Sequence, residues 1–275
     1  MANRILKTAS LFLLLSLLLS SCFFETSILF PGFVTESTTE SINESTGGSI
    51  GENESPEDTL PRRWTPDSDK IAVFANGSPQ GFWARNDRGN GSPFNCSFQR
   101  SHASVADGLL TLSLTQSNSG YVGAEYRTYA RYSYGYYSVS MKAASCPGVI
   151  SSFFTYTGWP WDEIDIEFLG NDTTRVQFNY YTNGKGGHEY YYDLGFDASL
   201  DFHEYGFDWQ PDSITWYVDG KAVHTATVEI PSAAGHIMMN LWNVADTHAG
   251  WAGKFDSSKL PVTAQYQWIG YKSAE

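Results

Sequence analysis

Trp161-Asp162-Glu163-Ile164-Asp165-Ile166-Glu167-Phe168-Leu169-Gly170 sets three carboxylates two residues apart through an apolar run. That alternation has the period of a β-strand, so Glu163, Asp165 and Glu167 share one face while Ile164, Ile166 and Phe168 occupy the other. Three like charges along one strand face repel one another. The repulsion costs stability, and a local rule broken at that cost points to function rather than packing.

Short runs of the same kind extend on both sides of this segment. They cover 108–115, 123–128, 134–143, 149–155, 161–169, 174–181, 203–210, 213–218, 236–242 and 264–270, punctuated by Gly, Asn, Asp and Pro. Asn183-Gly184 and Asp219-Gly220 are hairpin-turn dipeptides. No helix of ten residues is predicted in this region. The pattern predicts an all-β fold, a sandwich of two antiparallel sheets, rather than alternating strands and helices.

The chain opens differently. Arg4 and Lys7 precede an apolar run from Ala9 to Leu19, too short to cross a bilayer, which reads as a secretory leader. Leu19-Ser20-Ser21-Cys22 resembles the lipobox of bacterial lipoproteins, implying a signal peptide over 1–21 and a lipid on Cys22. The alternative is an ordinary cleaved leader with a bystander cysteine. Residues 22–63 are acidic and rich in Ser and Thr, with too little apolar surface to offset their ordering entropy, and read as a flexible tether. Residues 64–275 then form one domain. An extracytoplasmic, surface-anchored or secreted protein follows, touching membrane only through its lipid.

A formal net charge of −13 argues against nucleic acid as a partner. With Cys22 lipidated, Cys96 and Cys146 remain, as a candidate disulfide in an oxidising compartment or as two buried thiols. The histidines are scattered without metal-ligand spacing, and no metal site is expected among them.

Aromatic residues are more numerous in 64–275 than packing requires. Aromatic faces stack on the apolar faces of sugar rings, so a groove combining them with acids suits a glycan. Cleaving a glycosidic bond takes two carboxyl groups, one to protonate the leaving oxygen and one to attack or to activate water. Four residues of strand separate the Cα atoms of Glu163 and Glu167 by about 13 Å. Their side chains, leaning together, leave roughly 5 to 7 Å, nearer the retaining than most inverting arrangements. Asp165 between them raises the pKa of whichever glutamate holds a proton. Close carboxylates also bind calcium, but a flat strand lacks the loop carbonyls of a calcium cage.

Glu163-Ile164-Asp165-Ile166-Glu167 matches the signature of glycoside hydrolase family 16. The longer stretches 161–170, 176–183 and 236–243 look like the bacterial lichenases, the endo-β-1,3-1,4-glucanases. The likeness runs from about Phe82 to Tyr271. It implies a β-jelly-roll sandwich with a cleft across its concave face, and retaining hydrolysis with Glu163 as nucleophile, Asp165 assisting and Glu167 as general acid/base. It further implies a β-glucan partner bound by Asn90, Phe94, Glu125, Arg127, Phe154, Trp161, Asn179, Tyr181, Asn240 and Trp242. No cofactor is required, and a monomer is expected.

Four positions depart from that pattern. Arg88 replaces a cleft aromatic. Gly123 stands where the lichenases carry the second cysteine of their disulfide, so a bridged Cys96 would pair with Cys146. Thr157-Gly158-Trp159-Pro160 is a short loop with an extra Trp. Gln267 replaces an aspartate tied to a structural calcium, so that site is expected to be weak or lost. Two further readings stay open: a transglycosylase of the same family acting on xyloglucan or mixed-linkage glucan, and a non-catalytic glycan-binding lipoprotein.

Overall fold

The computed structural model describes residues 62–274. The expected leader, the expected lipidation site at Cys22 and all but the last two residues of the expected tether lie outside them.

Sixteen strands build the domain. In chain order they are β1 (Lys70–Val73), β2 (Phe82–Ala84), β3 (Cys96–Phe98), β4 (Ala103–Ala106), β5 (Leu109–Ser117), β6 (Gly120–Thr128), β7 (Gly135–Lys142) and β8 (Val149–Tyr156). There follow β9 (Glu163–Leu169), β10 (Arg175–Tyr181), β11 (Tyr190–Asp193), β12 (His203–Gln210), β13 (Ser213–Val218), β14 (Lys221–Ala226), β15 (His236–Asn243) and β16 (Val262–Ser273). The single α-helix among the described residues, α1, is the four-residue Ala249–Ala252.

Strands β11-β10-β9-β8-β15-β6 form a front sheet with β2 at its edge, and β5-β16-β7-β12-β13-β14 form a back sheet flanked by β1 and β4. The β5–β6 pair and β3 join the two sheets. All pairings are antiparallel except β3 with β6. This is the expected jelly-roll sandwich. The ten expected runs all become strands, though the one carrying the three acids starts at Glu163 rather than Trp161. The six additional strands (β1 to β4, β11 and β14) have three to six residues each, too few to show a period. Asp219 and Gly220, both at positive φ, turn β13 into β14, and Asn183-Gly184 turns within the β10–β11 connection.

The core lies between the sheets. Ile164, Ile166 and Phe168 of β9 are fully buried there. Phe168 meets Tyr205 edge-on at 4.9 Å, and Phe178 of β10 stacks on Trp216 at 5.6 Å. Burying each such side chain is worth about 1.5–3 kcal/mol, enough to hold β9 flat against the repulsion on its other face. Trp216 also donates its indole N–H to the Asp165 carbonyl at 3.2 Å, fixing the strand from below at its middle acid.

The cysteine expectation is corrected. Cys96 and Cys146 are both free thiols. Cys96 lies on β3 with its Sγ 3.1 Å from where a Cβ on Gly123 would stand, while Cys146 donates its thiol to the Asp256 carbonyl at 3.4 Å. Their side chains point into different neighbourhoods, so no Cys96–Cys146 bridge forms. Burial pushes the Cys96 thiol up to about 11, which leaves it unreactive. At the other departure, Gln267 accepts from Ser140 at 2.8 Å, an amide satisfied within the protein.

Candidate active site

Strand register places the expected residues on a grid. Antiparallel partners directly opposite one another point to the same face. One row across the front sheet reads Glu125, Asn240, Ser152, Glu167, Gln177, Tyr191. The next, two residues along each strand, reads Trp83, Arg127, Met238, Phe154, Asp165, Asn179. A third reads His236, Tyr156, Glu163, Tyr181. The three acids therefore face away from the core, in adjacent rows.

Trp161 precedes β9 and lies flat against Tyr181, ring centroids 4.6 Å apart at 16°. Its indole N–H donates to Glu163 Oε2. It is 38% exposed, so one aromatic surface beside Glu163 remains open. Gln177 donates from Nε2 to Glu167 Oε2 at 2.9 Å, and Ser152 donates to Asn240 at 2.6 Å. Glu125 is buried, and its charge is met by Arg85 at 3.1 Å and by Arg127 at 3.9 Å. Arg85 also binds Asn90 at 2.6 Å. Phe94 stacks on Trp242 at 3.9 Å, covering it, so Trp242 is a 3% exposed wall rather than an open platform. Phe154, Asn179 and Asn240 are likewise buried, whereas Asn90 is exposed and Phe94, Arg127 and Tyr181 are partly so.

Burial raises all three acids. Glu163 is pushed up to about 7, against the pull of its hydrogen bonds with Trp161 and Asp165. Asp165 is driven well above the carboxylate range by burial, then by the charges of Glu163 and Glu167. The hydrogen bond between Asp165 and Glu163 raises the former and lowers the latter, so the shared proton sits on Asp165. Glu167 is pushed up to about 8 by burial and by the charge of Glu163, with the Gln177 amide pulling it down. The hydrogen bonds of Glu163 favour its ionised form, while the charge of Glu163 favours the protonated form of Glu167. One ionised and one protonated carboxyl, four residues apart on the same strand face, are what acid-assisted displacement at a sugar carbon requires.

Four residues outside the expected set complete the site. Asp162 accepts from the backbone N–H groups of Asn183 at 2.8 Å and of Ser232 and Ala233 at 2.9 Å each, tying three loops together. Gln177 and Trp251 reach Glu167 in series, and Arg85 neutralises Glu125. Gln177 shares its parity with Asn179 and Tyr181, so the same period-two rule includes it. Asp162 shares parity with Ile164 and Ile166, and a carboxylate on the core-facing side signals buried donors. No local pattern marks Arg85 or Trp251. Among the described residues no three His, Cys, Asp or Glu converge as a metal site.

Three acids in line along one strand on the open face of a jelly roll, walled by aromatic residues, define a domain equipped to work on a polysaccharide chain. The family model for glycosyl hydrolases family 16 matches residues 90–269, and the chain belongs to that family. A beta-glucanase of Paenibacillus polymyxa is 54% identical over 190 residues, covering 67% of this chain and 79% of its own. A beta-glucanase of Acetivibrio thermocellus is 51% identical over 209 residues, and the match covers 73% of this chain but only 61% of that longer protein. The crystal structure of a prokaryotic beta-1,3-1,4-glucanase (lichenase) from a mouse hindgut metagenome superposes with a TM-score of 0.71 at 49% identity, covering 74% of this chain and 98% of that one.

Proposed function

We propose that this protein is an endo-acting, retaining β-glucanase that cleaves β-1,4 bonds in mixed-linkage β-1,3-1,4-glucan. Glu167 gives its proton to the glycosidic oxygen as the Glu163 carboxylate attacks the anomeric carbon, so the C–O bond breaks and a glycosyl ester forms. Glu167, now ionised, takes a proton from water, whose oxygen displaces Glu163 and restores both carboxyls. Asp165 holds Glu163 by a proton it does not transfer. Only carboxyl groups are needed for these steps.

The observation carrying this reading is the unbroken register of β9 with both β8 and β10, which keeps the three acids on one face at spacing two. The relatives named beta-glucanase and the similar lichenase structure support the substrate class. Outside the described residues, the leader, a lipidated Cys22 and the acidic tether would hold the domain at the cell surface, within reach of polymer too large to enter.

Product analysis on barley β-glucan, lichenan, laminarin and xyloglucan tests the assignment. Reducing ends should accumulate on the first two and not on the last two. Flat reducing-end counts with redistributed lengths would make it a transglycosylase, and binding without any bond cleavage would make it a glycan-binding protein. Glu163→Gln retaining full activity would falsify the nucleophile assignment.

A further inference from the structure

Trp251, on α1, donates its indole N–H to Gln177 Oε1 at 2.8 Å, and Gln177 donates from Nε2 to Glu167 Oε2 at 2.9 Å. An amide has one accepting and one donating end, and an indole N–H can only donate. Trp251 therefore decides which way the Gln177 amide points. With its oxygen committed to the indole, Gln177 can show only N–H to Glu167. The Glu167 oxygen that receives this N–H acts as an acceptor, so a proton on the same carboxyl belongs on the other oxygen.

We propose that Trp251, acting through Gln177, is a positioning residue that confines the Glu167 proton to Oε1 in the orientation needed for transfer. The proposal rests on the reading of Glu167 as the general acid. Two features hold the relay in place. Gln177 is buried in the middle of β10, opposite Glu167 and Tyr191. Trp251 is held from behind, with α1 anchored by the Gly148 N–H to Ala252 carbonyl bond at 2.8 Å and the ring lying 6.0 Å from Trp242. The Tyr191 hydroxyl lies against the same indole.

Without the indole N–H, the amide is free to turn over. Its carbonyl would then face Glu167 and accept the proton that catalysis needs, favouring the neutral acid. The groups that face Glu167 are Glu163 and Asp165 on β9, Tyr181 on β10, Glu189 before β11 and Tyr191 on β11. Trp251→Phe takes the indole partner from Tyr191 as well as from Gln177, whereas Gln177→Leu removes only the amide, so a change in titration shared by the two variants reports the amide.

The test uses Trp251→Phe, Gln177→Leu and the double variant of the full chain, with kcat/KM followed against pH on two substrates. One is barley β-glucan, whose leaving oxygen needs a proton. The other is a dinitrophenyl β-glucan oligosaccharide, whose leaving group departs without one. Each single variant should lose about tenfold on the polymer, a part of the roughly 10²–10⁴-fold that a general acid contributes, and keep its rate on the dinitrophenyl substrate. The alkaline limb on the polymer should move up by about 0.5 to 1 pH unit, as expected for losing one hydrogen bond to the ionised form. The double variant should be no worse than Gln177→Leu, since both act along one path. Equal losses on the two substrates, or additive losses in the double variant, overturn the relay while leaving the hydrolase reading intact. Should Trp251→Phe fail to fold, Gln177→Leu alone carries the substrate comparison. A wild-type protein that cleaves neither substrate overturns the hydrolase reading and the relay with it.

Discussion

The indole N–H of Trp161 donates to Oε2 of Glu163, two residues further along the chain, while the same ring lies flat on Tyr181. One residue thus offers a sugar-stacking surface and stabilises the ionised form of the attacking carboxylate. The two roles separate in Trp161→Phe, which keeps an aromatic face and removes the donor. Loss of the donor raises the Glu163 pKa, and Glu163 must be ionised to attack. The acid limb of kcat/KM should move up by about 0.5 to 1 pH unit. Activity above pH 8 should stay within about threefold of wild type, because the stacking area is kept. A limb that does not move would show that the indole N–H has no hold on Glu163.

How much of this site was legible beforehand follows the strand period. Alternation alone puts Glu163, Asp165 and Glu167 on one face and Asn179 with Tyr181 on the neighbouring strand, and the register bears out both placements. It cannot reveal which residues stand opposite one another. The Glu167–Gln177 and Glu125–Asn240 pairings are set by turn lengths and packing across strands distant in sequence. Arg85 was invisible for a similar reason. It follows a three-residue strand without any period, and only the buried Glu125 it neutralises gives it meaning. Cys96 and Cys146 look like a pair by count, yet fold into separate surroundings.

Burial of the acids has a pH-dependent cost. The folded pKa of Glu167, about 8, lies above its ordinary value of 4.5, so the native state binds this proton more tightly than the unfolded chain. Stability from that difference is fully present below about pH 4.5 and is lost as pH rises to about 8. Glu167→Gln removes the ionisable group and should melt higher than wild type at pH 8.5, with little difference at pH 4. A gain of about 1 kcal/mol would raise Tm by about 2–4 °C for a domain of this size. Activity on glucan should fall by about 10²–10⁴-fold in the same protein. Equal Tm differences at both pH values would show that packing, not ionisation, sets the gain.

Asp162 should matter through the loops it joins. Its carboxylate receives N–H groups from the β10–β11 turn and from the 232–233 segment, while its own backbone N–H donates to Thr157 Oγ1 at 2.9 Å, closing the short 157–162 loop. Asp162→Ala strands three donors and should cost about 2 kcal/mol or more. Thermal melting should register this as a fall of roughly 4–8 °C. Asp162→Asn keeps one accepting oxygen and should lose less. Trp159, 92% exposed on that loop, rides on the same clamp, so both variants should raise KM for long substrates. An Asp162→Ala protein with unchanged Tm would mean that water satisfies these donors.

At the other end of the grid, the row through Asp165 continues over Phe154, Met238 and Arg127 to Trp83 at the sheet edge. The Arg127 guanidinium lies 4.5 Å from the Trp83 ring centroid, and Trp83 stacks with Tyr129 at 6.1 Å. Tyr129 is 67% exposed, a large aromatic surface stacked on the Trp83 that ends this row. Four strand spacings, about 19 Å, separate Trp83 from Asp165. A β-linked glucose advances its chain by about one strand spacing, so a polymer laid along this row reaches Tyr129 only after several units. Tyr129→Ala should therefore lower kcat/KM on barley β-glucan by about 3- to 10-fold, the worth of one aromatic stacking contact. On the shortest oligosaccharide that is cleaved the same substitution should change nothing, because that substrate ends before the edge of the sheet. A loss of equal size on both substrates would place the effect of Tyr129 in the support of Arg127 rather than in contact with the chain.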